Sequence, residues 1–187
     1  MMPSMITLRH MLFVMLLLPI NAHTAEPAKM IFGVELGTPF TLPPCAQSEV
    51  ARAERHCYSA TLNAKTVRGT EERHVHYPRK VPAPYARGEL VVETIDGVIE
   101  AIHVNTWGIQ GQGTALEALK KKYGEPARSR SESMKGLRSR LPVLYAEWDM
   151  KEFAVRFDGV TTGIDWGRIS LLSQRYQQRV KTPAPAR

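Results

Sequence analysis

The stretch "RHVHYP" sets His74 and His76 two residues apart. Side chains alternate between the faces of an extended strand, so both imidazoles would project from one face. Two such imidazoles form half of a zinc or copper site, which His56 or Glu72 could complete. The surrounding residues, 65–87, are polar and include Pro78, Pro82 and Pro84. The competing expectation is therefore an exposed loop or edge in which the histidines hold nothing. Neither a metal nor a cofactor is expected.

A second constellation lies in "ELVVETIDGVIEAIHVNT", two alternating apolar runs around Asp96-Gly97, the sequence signature of a tight hairpin. A two-residue turn pairs Ile95 with Val98, Glu93 with Glu100 and Val91 with Ile102. Two facing carboxylates resemble the pair of a retaining glycosidase. Like charges opposite one another destabilise a sheet, so a solvated face, or a turn register that separates the two, is the plainer expectation. Leu90, Val92, Ile99, Ala101 and His103 then share the other face, where His103 reads as a hydrogen-bonded core or interface residue. No Gly-x-Ser-x-Gly or His-Glu-x-x-His occurs, and "GIQGQG" is not expected to have the strand-then-helix setting of a phosphate loop.

The sharpest charge feature is "RSRSESMKGLRSR", with Arg128, Arg130, Lys135, Arg138 and Arg140 against a single acid, Glu132. Basic residues guard edge strands against aggregation. Their excess here makes the run a candidate surface for an anionic partner.

The two cysteines, Cys45 and Cys57, are too far apart in sequence for a Cys-x-x-Cys redox pair and lack the close spacing of zinc ligands. Arg9 and His10 precede an apolar run from Met11 to Ile20, and small residues follow. A run that short cannot cross a bilayer core, which needs about 20 residues. A basic start, short apolar centre and small residues describe a secretory signal peptide over residues 1–25, with cleavage between Ala22 and Ala25. No cysteine follows the run, which disfavours a lipoprotein. Export implies an oxidising compartment, periplasmic or extracellular, and there Cys45 and Cys57 are expected to form one disulfide.

Cleavage after Ala25 would leave 162 of the 187 residues, sized for one domain over residues 26–174. The net charge of +7, or +6 without Arg9, favours polyanionic partners. Outside the cytoplasm these are an envelope protein or an anionic surface polymer rather than nucleic acid. No transmembrane segment is expected in the mature chain.

The elements that must hold these residues follow from periodicity. Met30–Gly37 and Tyr58–Leu62 are strand candidates. "TALEALKKKYGEP" predicts a helix with Thr114 and Glu117 as a capping box, Leu116, Leu119 and Tyr123 as its apolar stripe, and Gly124 as its stop. Residues 127–134 make a weak polar strand. Leu144, Ala146 and Trp148 alternate, as do Phe153, Val155 and Phe157, and Ile169 and Leu171 mark a last strand. The tail, 175–187, is expected to be flexible and basic. The resulting fold class is α+β: an antiparallel sheet with one face covered by a short helix, plus one disulfide.

The helix ending Tyr123-Gly124-Glu125-Pro126, followed by meandering strands that carry Trp148, resembles small periplasmic modules of the BamE (SmpA/OmlA) and β-lactamase-inhibitor-protein type over residues 114–172. A hairpin stands where those modules carry a second helix, so no functional residue transfers. The resemblance implies binding or assembly rather than catalysis. The expected role is thus a non-catalytic envelope binding protein, including an inhibitor or immunity-like one, with a small envelope hydrolase as the alternative.

Overall fold

A computed structural model of the chain describes residues 29–46, 55–59, 69–78, 84–135 and 140–181. The expected signal peptide, Arg138, most of the loop between the cysteines and the last six tail residues lie outside that set. The order is β1 (Met30–Ile31), β2 (Val34–Glu35), β3 (Cys57–Ser59), β4 (Glu71–His76), β5 (Ala86–Ile95), β6 (Val98–Thr106), α1 (Gly108–Tyr123), β7 (Arg128–Lys135), β8 (Arg140–Asp149), β9 (Phe153–Gly163), β10 (Trp166–Ser173) and α2 (Gln174–Lys181). Eight strands form one antiparallel sheet in the order β3-β4-β5-β6-β10-β9-β8-β7. Among the described residues the architecture is dominated by sheet, with one of the two helices deeply packed, so it is more strand-rich than a layered α+β fold.

Each half of the sheet is a meander, and β6 and β10 join the halves. One face is apolar because alternate residues of each strand point the same way. Leu90, Val92, Ile102, Val104, Val155, Phe157, Ile169 and Leu171 line it, all nearly inaccessible to water. Ala115, Leu119 and Tyr123 of α1 cover it together with Ile31, Val34 and Leu36. Trp148 and Phe157 are core residues here, not an exposed aromatic face.

The Asp96-Gly97 turn has positive φ at both residues, 52° and 74°, as a tight hairpin requires. Its register departs from the expected one after two pairs. Ile95 faces Val98 and Thr94 faces Ile99, but Glu93 faces Ala101 and Val91 faces His103. The extra residue in β6 is a bulge. It separates Glu93 from Glu100, so the facing carboxylate pair does not form. It also puts Ala101 and His103 on the face opposite Leu90 and Val92.

The helix starts six residues before the expected cap, at Gly108, and Thr114 lies inside it. Tertiary contacts override the glycines' poor propensity. Gln112 is buried, its Nε2 donating to the Pro142 carbonyl (2.8 Å) and its Oε1 accepting from Leu144 N–H (3.0 Å). Gly108 has φ +46°, and a Cβ there would lie 2.1 Å from the Ile164 carbonyl oxygen. "GIQGQG" thus does follow a strand and open a helix, but the Ile109 N–H is donated to that carbonyl, at 2.8 Å. At the other end Gly124 stops the helix as expected, with φ +80° and its N–H donated to Lys120. Trp148 Nε1 donates to the Gly124 carbonyl (2.8 Å), tying that stop to β8.

Cys45 and Cys57 are bonded, with Cα atoms 4.9 Å apart. The bridge holds Cys45 alongside β3, where its N–H donates to the Tyr58 carbonyl (2.8 Å). Closing a loop of this size stabilises by about 3 kcal/mol on the chain-entropy account. Two expectations for the less regular segments change. Residues 71–76, read as loop or edge, form β4 inside the sheet, and residues 175–181 of the tail belong to α2, which contacts β10 and β6.

Candidate functional site

The sheet face opposite α1 is polar, and its side chains fall into two groups. The first spans β4, β5, β6 and β10 beneath α2. Glu93 is its centre, and its side chain is 15% exposed. Tyr176 OH donates to Glu93 Oε1 (2.7 Å) and Thr70 Oγ1 donates to Oε2 (2.9 Å). His103 Nε2 lies 3.1 Å from Oε1, and His103 Nδ1 lies 2.8 Å from Ser170 Oγ. Because a carboxylate only accepts, the His103 Nε2 proton points to Glu93.

Burial works to raise the Glu93 carboxyl. Hydrogen bonds from His103, Tyr176 and Thr70, with the charge of His103, outweigh it and hold the group below its ordinary value. Burial and the bond to Glu93 push the Tyr176 hydroxyl far up. Arg175 of α2 ion-pairs with Asp96 and, at 3.4 Å, with Glu100, which explains how Glu100 is tolerated at a buried position. The sequence placed His103 among apolar residues, because the bulge that turns it toward Ser170 has no local signature.

The neighbouring histidines form a separate cluster on the same face. His74 and His76 do share a face of β4, as their spacing suggested. His74 contacts Glu89 through Nδ1 and Glu72 through Nε2 (3.1 Å). His76 Nε2 lies 3.3 Å from Glu89 and 3.2 Å from Ser59 Oγ. Burial would lower the His74 value, but hydrogen bonds and charge from Glu89 and Glu72 raise it. His56 is elsewhere, its Nε2 against the Phe32 carbonyl. Among the described residues no group of three or more His, Cys, Asp or Glu side chains could hold a metal ion.

The second group lies on β7, β8 and β9 and is open. A groove of about 520 Å³ is lined by Arg128, Arg130, Tyr145, Glu147, Arg156 and Asp158 among others. Arg128 pairs with Glu147 (2.7 Å) and Asp149 (3.0 Å), Arg130 pairs with Glu132 (2.9 Å), and Arg156 lies 4.0 Å from Glu147. The Arg130 guanidinium also sits 4.2 Å from the Tyr145 ring centre. Burial raises the Asp158 carboxyl, against the opposing pull of Arg168, Arg130 and Arg156.

The structure brings only part of the basic run together. Arg128 and Arg130 share the groove, whereas Lys135 and Arg140 face each other at the far end of the β7–β8 hairpin. Alternation along β7 places Lys135 on the opposite face from Arg128 and Arg130. Arg156, which completes the groove, escaped the sequence reading because it sits inside an apolar strand.

No helix among the described residues is long and apolar enough to cross a membrane. Comparison of the chain with protein families, curated proteins and solved structures found no match.

Proposed function

We propose that the protein is an exported, non-catalytic binding module that engages an anionic envelope partner, a protein or a surface polymer, through the β7–β9 groove. The observation that carries this reading is the open groove in which Arg128, Arg130 and Arg156 line one wall system around Tyr145. Their present partners are exposed carboxylates, and exposed ion pairs contribute only about 0–1 kcal/mol. The guanidiniums can therefore turn to an incoming phosphate or carboxylate at little cost, and their planar forks suit either. The resemblance to envelope binding modules points the same way.

The alternative, a small hydrolase, draws on the Ser170–His103–Glu93 line, a hydroxyl–imidazole–carboxylate order familiar from acyl transfer. Ser170 is only 6% exposed, which does not suit a nucleophile that must meet a substrate.

Titration with inorganic polyphosphate at increasing salt tests the binding reading. Arg128→Ser with Arg130→Ser should weaken binding at least about fivefold and flatten its salt dependence, with the fold intact. Unchanged affinity and slope would remove the groove from function. Labelling of Ser170 by a fluorophosphonate would favour the hydrolase instead.

A further inference from the structure

Trp107, Ile164 and Trp166 are 45%, 48% and 38% exposed, unusual for large apolar side chains, and they meet at one end of the sheet. Gly108, next to Trp107, packs against the Ile164 carbonyl, so the turn between β9 and β10 sits on the start of α1. The Arg87 guanidinium lies 4.7 Å from the Trp107 ring centre and 3.8 Å from that of Trp166. Its Nη1 also donates to the Asp165 carbonyl (3.0 Å). The result is an indole–guanidinium–indole stack, with the exposed Ile164 two residues before Trp166 in the chain.

We infer that this stack is a docking surface for an anionic lipid bilayer. The inference deepens the proposed reading, since it rests on the protein meeting an anionic partner outside the cytoplasm. Indole rings and arginine favour the headgroup level of a bilayer, where an apolar body and a polar tip are both satisfied. The stack restrains both rings and Gly108 leaves its backbone no slack, so little freedom is lost on docking.

Charge and size select the bilayer over a protein. The chain carries +7 overall. Arg87 is within the patch, and Arg168 follows Trp166 by two residues in β10, across a register shift against β9. Arg168, Asp158, Tyr145 and Arg130 then form one cross-strand row leading to the groove. Asp165 and Asp158 oppose this field, and the arginines exceed them. The three apolar side chains expose roughly 300 Å² together. That falls short of the roughly 800 Å² each partner buries in a standard protein complex. A few interfacial side chains plus basic residues suffice at an anionic membrane surface.

The tryptophans supply the test, because the chain has three and the third, Trp148, is buried. The full chain is mixed with phosphatidylcholine vesicles, with and without phosphatidylglycerol, whose acyl chains carry bromine. Quenching of tryptophan emission by the anionic vesicles, fading at high salt, is the expected result. Trp107→Phe and Trp166→Phe should each remove part of it, and the double variant should leave the unquenched emission of Trp148. Sedimentation with vesicles but no quenching would mean that another segment, such as the apolar N-terminus, makes the contact, and would overturn the inference. So would no association at all, which would leave the patch to a protein. Polyphosphate binding without quenching would overturn the bilayer and keep the groove. Quenching without polyphosphate binding would do the reverse.

Discussion

Glu93 and Glu147 are both carboxylates on the outward face of one sheet, and their surroundings differ. Glu93 receives hydrogen bonds from a threonine, a histidine and a tyrosine that reaches it from α2. Glu147 is 38% exposed and is held by Arg128 and Arg156 in an open groove. The first arrangement spends its polar groups on one another, so it stabilises the fold and has little left for a ligand. The second keeps its partners exchangeable. Charged side chains alone do not mark a binding surface; what matters is whether their partners can be replaced.

The largest expected effect breaks the closed half. Glu93→Ala leaves Tyr176 OH, Thr70 Oγ1 and His103 Nε2 without their acceptor. A loss of about 2–3 kcal/mol in urea denaturation is expected, since hydrogen bonds to charged groups contribute about 1.5–3 kcal/mol each and the cluster relaxes in part. Hydrogen exchange in α2 should rise with it, and polyphosphate affinity should not change. A loss below about 0.5 kcal/mol would reduce the network to a surface ornament.

An intermediate effect sharpens the comparison through pH. The folded Glu93 value lies below its ordinary 4.5, so its stabilisation is present above that pH and fades as pH falls through the folded value. The folded His74 value lies above 6.5, so its contribution is complete below 6.5 and fades as pH rises through the folded value. Stability should therefore be greatest between these limits. His74→Gln should flatten the alkaline side alone in denaturation curves from about pH 3 to about 9. An unchanged alkaline slope would show that Glu89 and Glu72 do not act on His74.

The smallest effect belongs to the open half. Asp158 is raised, chiefly by burial, so its contribution is complete at low pH and lost as pH rises through the folded value. Asp158→Asn should gain about 0.5 kcal/mol at neutral pH and tighten polyphosphate binding, because one opposing charge leaves the groove wall. A loss of stability would instead make its attraction to Arg168 the dominant contact.

Sequence alone determined the strands around Leu90, Ile102, Trp148, Val155 and Ile169, the Asp96-Gly97 turn, the helix stop at Gly124 and the pairing of the two cysteines. These are legible because alternation, turn sterics and an even thiol count act over a few residues or leave no choice of partner. The candidate site was legible only in pieces: the adjacency of His74 and His76, and the arginines at 128 and 130. Tertiary structure decided the rest. The β6 bulge moved Glu93 from Glu100 to Ala101 and His103, Gln112 and Ile164 pulled the helix start back to Gly108, and Arg156 joined a groove with residues of two other strands. Tyr176 reaches Glu93 across 83 positions and Ser170 reaches His103 across 67. Contacts at that separation leave no local periodicity, because what selects them is the closing of the sheet rather than the preference of any neighbouring residue.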